Sequence, residues 1–164
     1  MRIYILRHGK AEGIAADGSD AGRRLTPEGR EAVRAVLLRA RAVRAAPELI
    51  LSSPLQRAIE TAELAREILS CTGEVEPTSA LAPSASPYAI WEELRLRRAE
   101  FDGVLLVGHQ PLIGRLVAFL LNSPSLELMV ETAALAAVRE ETAGAQPRGV
   151  LEWPFTPGLA AGQS

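Results

Sequence analysis

The chain of 164 residues holds two histidines, His8 and His109, and each stands one residue beyond a short apolar run. His8 lies in Arg7-His8-Gly9 after Ile3–Leu6, and His109 lies in Gly108-His109-Gln110 after Val104–Val107. A third apolar run, Leu49–Leu51, is followed by Ser52, Ser53 and, one helical turn on, Arg57. Histidine and arginine at matching places suit phosphoryl handling. The planar guanidinium fork grips a phosphate in bidentate fashion and stays charged at every working pH. A histidine flanked by guanidinium groups has its cationic form disfavoured, so it stays neutral and nucleophilic. It can then accept a phosphoryl group and pass it to water, which splits one step into two. Gly9 would let the backbone run close to such a phosphate without a side-chain clash. Taken singly, a histidine after an apolar run is most often a hydrogen-bonded packing residue. What separates this pair is that the chain has no others and both stand at equivalent places.

The elements that must position these residues alternate. Ile3–Leu6 reads as a buried strand, short, apolar and partly β-branched. Residues 9–25, rich in Gly, Asp, Ala and Ser, read as a long loop. Thr26-Pro27-Glu28 is a helix start: threonine caps, proline suits the first position, and glutamate favours the positive end of the dipole. Ala32, Val33, Val36, Leu37 and Ala40 form its apolar face, and it ends before Pro47. Ser53-Pro54 opens a second helix by the same logic, with Leu55, Ala58, Ile59, Ala62, Ala65, Ile68 and Leu69 at helical spacing. Residues 77–87, with their prolines and serines, form a loop, and a third helix runs from Pro87 to about Glu100. Pro111 opens a fourth helix that Asn122-Ser123-Pro124 stops. Leu126–Val130, Leu135–Val138 and Gly149–Trp153 read as shorter strands added antiparallel at a sheet edge.

Such alternation, with near-continuous apolar strands, predicts a three-layer α/β/α sandwich with a mostly parallel central sheet and an antiparallel edge. Residues 1–154 would make a single domain without a cap, and 155–164 a flexible tail. In parallel sheets ligands sit beyond the carboxyl ends of the strands. Both histidines, Arg7 and Arg57 fall there, and helices starting at Pro54 and Pro111 would aim free N–H groups at the same spot.

Composition excludes other functions. Of eighteen lysines and arginines Lys10 is the one lysine, yet the net charge is −2 and the pI near 5.8, which argues against a nucleic-acid partner. Aromatics at 4% leave no base-stacking surface. A single cysteine, Cys71, forms no disulfide framework, and with two histidines and three aspartates it offers no metal cluster, so no metal and no cofactor is expected. The longest apolar run, Leu116–Leu121, is far below a membrane span, and no signal peptide is evident. A reducing cytoplasm is the expected location.

These residues carry a resemblance. Arg7-His8-Gly9, Leu51-Ser52-Ser53-Pro54-Leu55-Gln56-Arg57-Ala58-Ile59-Glu60-Thr61-Ala62 and Val107-Gly108-His109-Gln110-Pro111 are similar, in order, to three blocks of the histidine phosphatase superfamily, whose fold is phosphoglycerate mutase-like. The short length, Arg23-Arg24-Leu25-Thr26-Pro27-Glu28-Gly29 and Thr132-Ala133-Ala134-Leu135 resemble its SixA-type phosphohistidine phosphatases. The resemblance implies His8 as the residue that becomes phosphorylated. Arg7 and Arg57 would hold the phosphoryl oxygens, His109 would donate to them, and Gly9 would line the phosphate site. Arg23 matches a further phosphate-contacting arginine, although adjacent Arg24 could serve instead. It also implies a substrate: a phosphorylated protein bearing phosphohistidine or, as the alternative, a small phosphorylated metabolite. A non-catalytic phosphate-binding module is a third reading.

The chain departs from the family's pattern in several places. Gln110 replaces a usual Asn, Glu60 a usual Gln, and Lys10 stands where relatives carry other polar residues. Residues 78–91 contain no Asp or Glu, where many relatives place an acid that protonates the leaving oxygen. The nearest acids, Glu92 and Glu93, read as a solvated helix face. A missing acid suits an imidazole leaving group better than an alkoxide.

Overall fold

The structure, a computed structural model, describes residues 1–162. Six strands form one sheet: β1 (Arg2–Arg7), β2 (Leu49–Ser52), β3 (Val75–Pro77), β4 (Gly103–Gly108), β5 (Leu135–Ala143) and β6 (Pro147–Phe155). Their order is β3-β2-β4-β1-β5-β6; the first four run parallel, and the β5–β6 hairpin adds an antiparallel edge beside β1. Five helices cover it: α1 (Pro27–Ala42), α2 (Gln56–Leu69), α3 (Pro87–Arg97), α4 (Leu112–Leu120) and α5 (Pro157–Ala161).

Period-two alternation along the strands sorts the core into two halves. Tyr4, Leu6, Ile50, Leu105 and Val107 face α1 and α2, where Val33, Val36, Leu37, Ala58, Ala62 and Ala65 meet them. Ile3, Ile5, Leu51, Val104 and Leu106 face α3 and α4, against Ile90, Trp91, Leu94, Leu112, Ile113 and Leu116. Each fully buried aliphatic side chain contributes roughly 1.5–3 kcal/mol, so both helical layers are held on firmly. This is the expected three-layer sandwich.

Local chemistry explains the differences from the sequence reading. The Thr26 cap is as expected, accepting from the Gly29 N–H at 3.0 Å. The Ser53-Pro54 start is not: α2 begins at Gln56 behind an uncapped Leu55, and the Ser53 hydroxyl pairs with His109 at 2.7 Å and accepts only a long 3.4 Å contact from the Leu55 N–H. Leu126–Val130 is not a strand. Its carbonyls serve side chains instead, Leu128 accepting from Gln110 Nε2 at 2.7 Å and Val130 from Arg7 Nη1 at 2.6 Å. β3 went unseen because it is three residues long and contains Pro77. Within the span expected as tail, β6 reaches Phe155, and Thr156 caps α5, whose Ala160 packs on the α1 side of the core. The last two residues of that tail lie outside the described part.

Candidate active site

The register of β1 and β4 builds the centre of the site. Arg7 pairs with Gly108, so the next residues, His8 and His109, leave adjacent strands side by side. The His8 N–H donates to the Gly108 carbonyl at 3.0 Å, and the two rings lie 4.8 Å apart between centroids, tilted by 55°. β2 ends opposite Val107, and the Ser53 N–H donates to that carbonyl at 2.9 Å. Ser53 Oγ thereby reaches His109 Nε2 at 2.7 Å. Three residues later α2 opens, and Arg57 in its first turn is buried.

The hydrogen bonds fix the state of His8. Its Nδ1 lies 2.6 Å from the Gly9 carbonyl oxygen, which can only accept. Nδ1 therefore carries the proton, and Nε2 keeps a free lone pair. Burial first, then the charges of Arg57, Arg7 and Arg23, lower the His8 pKa to about 4, against the partial opposition of the Gly9 bond. Burial, His8 and Arg57 lower that of His109 to about 3. Both rings are neutral at physiological pH. His109 Nδ1 and Arg7 Nε are buried and have no partner among the described residues.

The loop between β1 and α1 completes the surroundings. Arg57 donates through Nη1 to the Asp20 carbonyl at 2.8 Å and through Nη2 to its carboxylate at 3.0 Å. Arg23 reaches the other Asp20 oxygen at 2.9 Å and also bonds the Glu12 carbonyl. Arg24 turns away to Glu60 at 2.6 Å. Of the adjacent arginines, Arg23 is thus the one beside Arg57 and His8. Glu60 is buried and also accepts from the Leu25 N–H and Arg30, which ties the loop's end to α2. One turn beyond Arg57, Thr61 donates to the Arg57 carbonyl at 2.7 Å and accepts from the Gly9 N–H at 3.2 Å.

Two expectations about backbone change. A Cβ on Gly9 would lie 2.8 Å from the Gly29 carbonyl and 2.8 Å from Val33 Cγ2. The close approach that requires glycine here is that of α1. The helix starts also offer fewer free donors than expected, since the Gln56 N–H donates to the Ala21 carbonyl and that of Ile113 to His109.

The absent acid has a structural counterpart. Glu92 is occupied by Arg95 at 2.6 Å, and Glu93 accepts from the Thr78 hydroxyl at 2.8 Å, so Glu93 is a half-buried anchor rather than part of a solvated face. Cys71 is half-buried against the core below α2. Among the described residues no three His, Cys, Asp or Glu side chains gather as a metal ion would require, and no helix is long and apolar enough to cross a membrane.

Asp20, Ser53 and Thr61 are the contributors that sequence reading did not assign to the site. Asp20 stood in a loop of small polar residues with only Arg23 three positions on to mark it, and Ser53 was read as a cap.

Comparison with known proteins agrees with this geometry. The sequence model of the histidine phosphatase superfamily (branch 1) matches residues 3–82. The chain is 30% identical to the phosphohistidine phosphatase SixA of Escherichia coli (strain K12) over 158 residues, which is 96% of this chain and 94% of that one. A solved structure of the protein histidine phosphatase SixA complexed with tungstate superposes with a TM-score of 0.85 at 31% identity, covering 96% of this chain and 98% of that one. A mycobacterial glucosyl-3-phosphoglycerate phosphatase complexed with VO3 shares the fold at 21% identity and a TM-score of 0.69, over 93% and 97% of the two chains. With its phosphoglycerate mutase-like sandwich and its histidine pair at the strand ends, the chain belongs to the histidine phosphatase superfamily, a family of hydrolases.

Proposed function

We propose that the protein removes phosphate from phosphohistidine on a partner protein, through a covalent phosphoryl-His8 intermediate. The observation that carries this reading is the tautomer of His8: Nδ1–H bound to the Gly9 carbonyl, Nε2 free, on a ring kept neutral by burial and three arginines. The Nε2 lone pair attacks phosphorus, and the leaving group departs with its bonding electrons. Arg7, Arg57 and Arg23 hold the phosphoryl oxygens, and His109 donates to them as charge develops. Water then attacks phosphoryl-His8. The water oxygen bonds to phosphorus and its protons leave with the phosphate, while the P–N bond breaks with the electron pair returning to Nε2; the other proton stays on Nδ1, hydrogen-bonded to the Gly9 carbonyl, so a neutral imidazole leaves.

The substrate class follows from what the site provides. Residues 78–91 supply no carboxylic acid to protonate an alkoxide, and Glu92 and Glu93 are bonded elsewhere. An imidazole leaving group does not need such an acid. Asp20 at the mouth is well exposed, so a phosphorylated side chain on a protein surface could reach Arg57. The SixA relative was solved in complex with tungstate, an oxyanion of phosphate-like shape, which supports oxyanion binding by this fold. A free thiol at Cys71 fits a reducing cytoplasm.

The test offers purified protein a phosphohistidine-bearing phosphotransfer protein and a panel of small phosphate esters, with His8→Ala as control. Preference for phosphohistidine with loss in His8→Ala is the expected result. Faster hydrolysis of the esters would identify a metabolite phosphatase, and a wild type no faster than His8→Ala on everything would identify a binding module.

A further inference from the structure

Asp20 brings a carboxylate into a site otherwise built from cations and neutral rings. Its side chain bridges Arg57 Nη2 at 3.0 Å and Arg23 Nη1 at 2.9 Å, while its carbonyl holds Arg57 Nη1 at 2.8 Å. It is 63% exposed, whereas the Arg57 side chain beneath it is 7% exposed. His8 and His109 are buried while Asp20 is exposed, so the histidines mark the inner side, or floor, of the site and Asp20 its solvent side, or mouth.

Phosphoryl transfer proceeds with attacking and leaving atoms roughly in line. With His8 attacking from the floor, the leaving group must point toward the mouth. Resting on the reading above, we infer that the Asp20 carboxylate accepts a hydrogen bond from the distal ring N–H of the departing imidazole, and so selects phosphohistidine over phosphate esters. An arriving phosphoryl group takes Arg57 Nη2 from the carboxylate, which turns outward, while Nη1 stays on the Asp20 carbonyl.

The chemistry requires that proton. If the distal nitrogen is bare, breaking the P–N bond expels an imidazolide anion. If it carries a proton, His8 Nε2 forms its bond to phosphorus, the old P–N pair returns to the leaving nitrogen, and a neutral imidazole departs with its N–H still on Asp20. No acid has to be supplied. An aspartate carboxyl is ionised at neutral pH even at its ordinary pKa, and in the free enzyme the Arg23 and Arg57 hydrogen bonds hold it lower still, so it acts as an acceptor and not as a donor. The charged and titratable groups that interact with it are Arg23, Arg57 and His109. The Gly9 carbonyl plays the matching part for His8, holding the Nδ1 proton that lets His8 leave in the second step. An ester offers Asp20 no N–H, and its developing alkoxide is repelled by the carboxylate.

The experiment compares wild type, Asp20→Asn and Asp20→Ala on a phosphohistidine-bearing protein, on free phosphoimidazole and on p-nitrophenyl phosphate. It does so across the pH range in which phosphoimidazole titrates. Loss of one charged hydrogen-bond partner predicts about a 10- to 100-fold fall in kcat/KM on both P–N substrates. The ester rate should fall less, only by what Arg57 loses in support, so the ratio of P–N to ester kcat/KM should drop by about 10-fold or more. The alkaline limb of the kcat profile on the P–N substrates, which reports the bound complex, should move to lower pH. An equal fall on all three substrates would make Asp20 merely a support for Arg57 and overturn the inference, as would no fall or an unmoved limb. Asp20→Asn keeps the shape of the side chain and decides the matter if Asp20→Ala fails to fold. A wild type active on the ester but not on phosphohistidine would remove the proposed function and this inference together. Phosphohistidine activity that ignores Asp20 would remove the inference alone.

Discussion

Ser53 Oγ lies 2.7 Å from His109 Nε2, and both groups are buried. This contact joins the end of β2 to the end of β4 and fixes the His109 ring beside His8. Ser53→Ala leaves a buried ring nitrogen without its partner, which costs about 1–3 kcal/mol of stability. It also lets the ring turn, so kcat should fall while KM changes little. Steady-state kinetics and urea melts check both, and an unchanged kcat would show that His109 is positioned by packing alone.

Gly9 and α1 give a second prediction. Gly9→Ala places a methyl group against the Gly29 carbonyl and Val33, both at 2.8 Å. Neither can move without shifting the first turn of α1, so overpacking should cost about 1–3 kcal/mol. Thermal unfolding measures it. A loss of activity with an unaltered melting curve would return the glycine requirement to the phosphate side.

The neutral histidines make stability depend on pH. The pKa of His8 is lowered from 6.5 to about 4 and that of His109 to about 3, so the unfolded chain binds more protons than the folded one below 6.5. Stability from these groups is complete above pH 6.5 and is lost as pH falls toward 4 and then 3, on the order of 3 kcal/mol from His8 alone. Urea unfolding at pH 7 and at steps below it should show the decline, and His109→Asn should flatten part of it. A flat profile between these values in wild type would contradict the buried, neutral assignment.

Much of this arrangement was legible in the sequence, and the exceptions share a cause. The strands around Ile5, Ile50 and Leu105 and the helices around Leu37 and Ala62 announce themselves by period, because burial on defined faces sets their composition. His8, His109, Arg7 and Arg57 follow from the strand-end rule once the strands are placed. Leu126–Val130 misled because its apolar residues read as strand, while its carbonyls were already committed to Gln110 and Arg7 from distant parts of the chain. Ser53 misled in the same way: its hydroxyl could cap a helix, and a histidine 56 residues away claimed it. Asp20 and Thr61 act through partners that only the fold brings near. Local pattern records local needs, and side chains shared across long sequence distances leave little trace in it.

The proposed intermediate carries its phosphoryl group on His8 Nε2. Rapid quenching of the enzyme with a radiolabelled phosphohistidine substrate, followed by peptide mapping, locates that group. Label is expected on the peptide containing His8, stable in base and labile in acid, absent from His8→Ala and retained in His109→Ala. Label on any other residue, or full turnover by His8→Ala without a trapped intermediate, would contradict it.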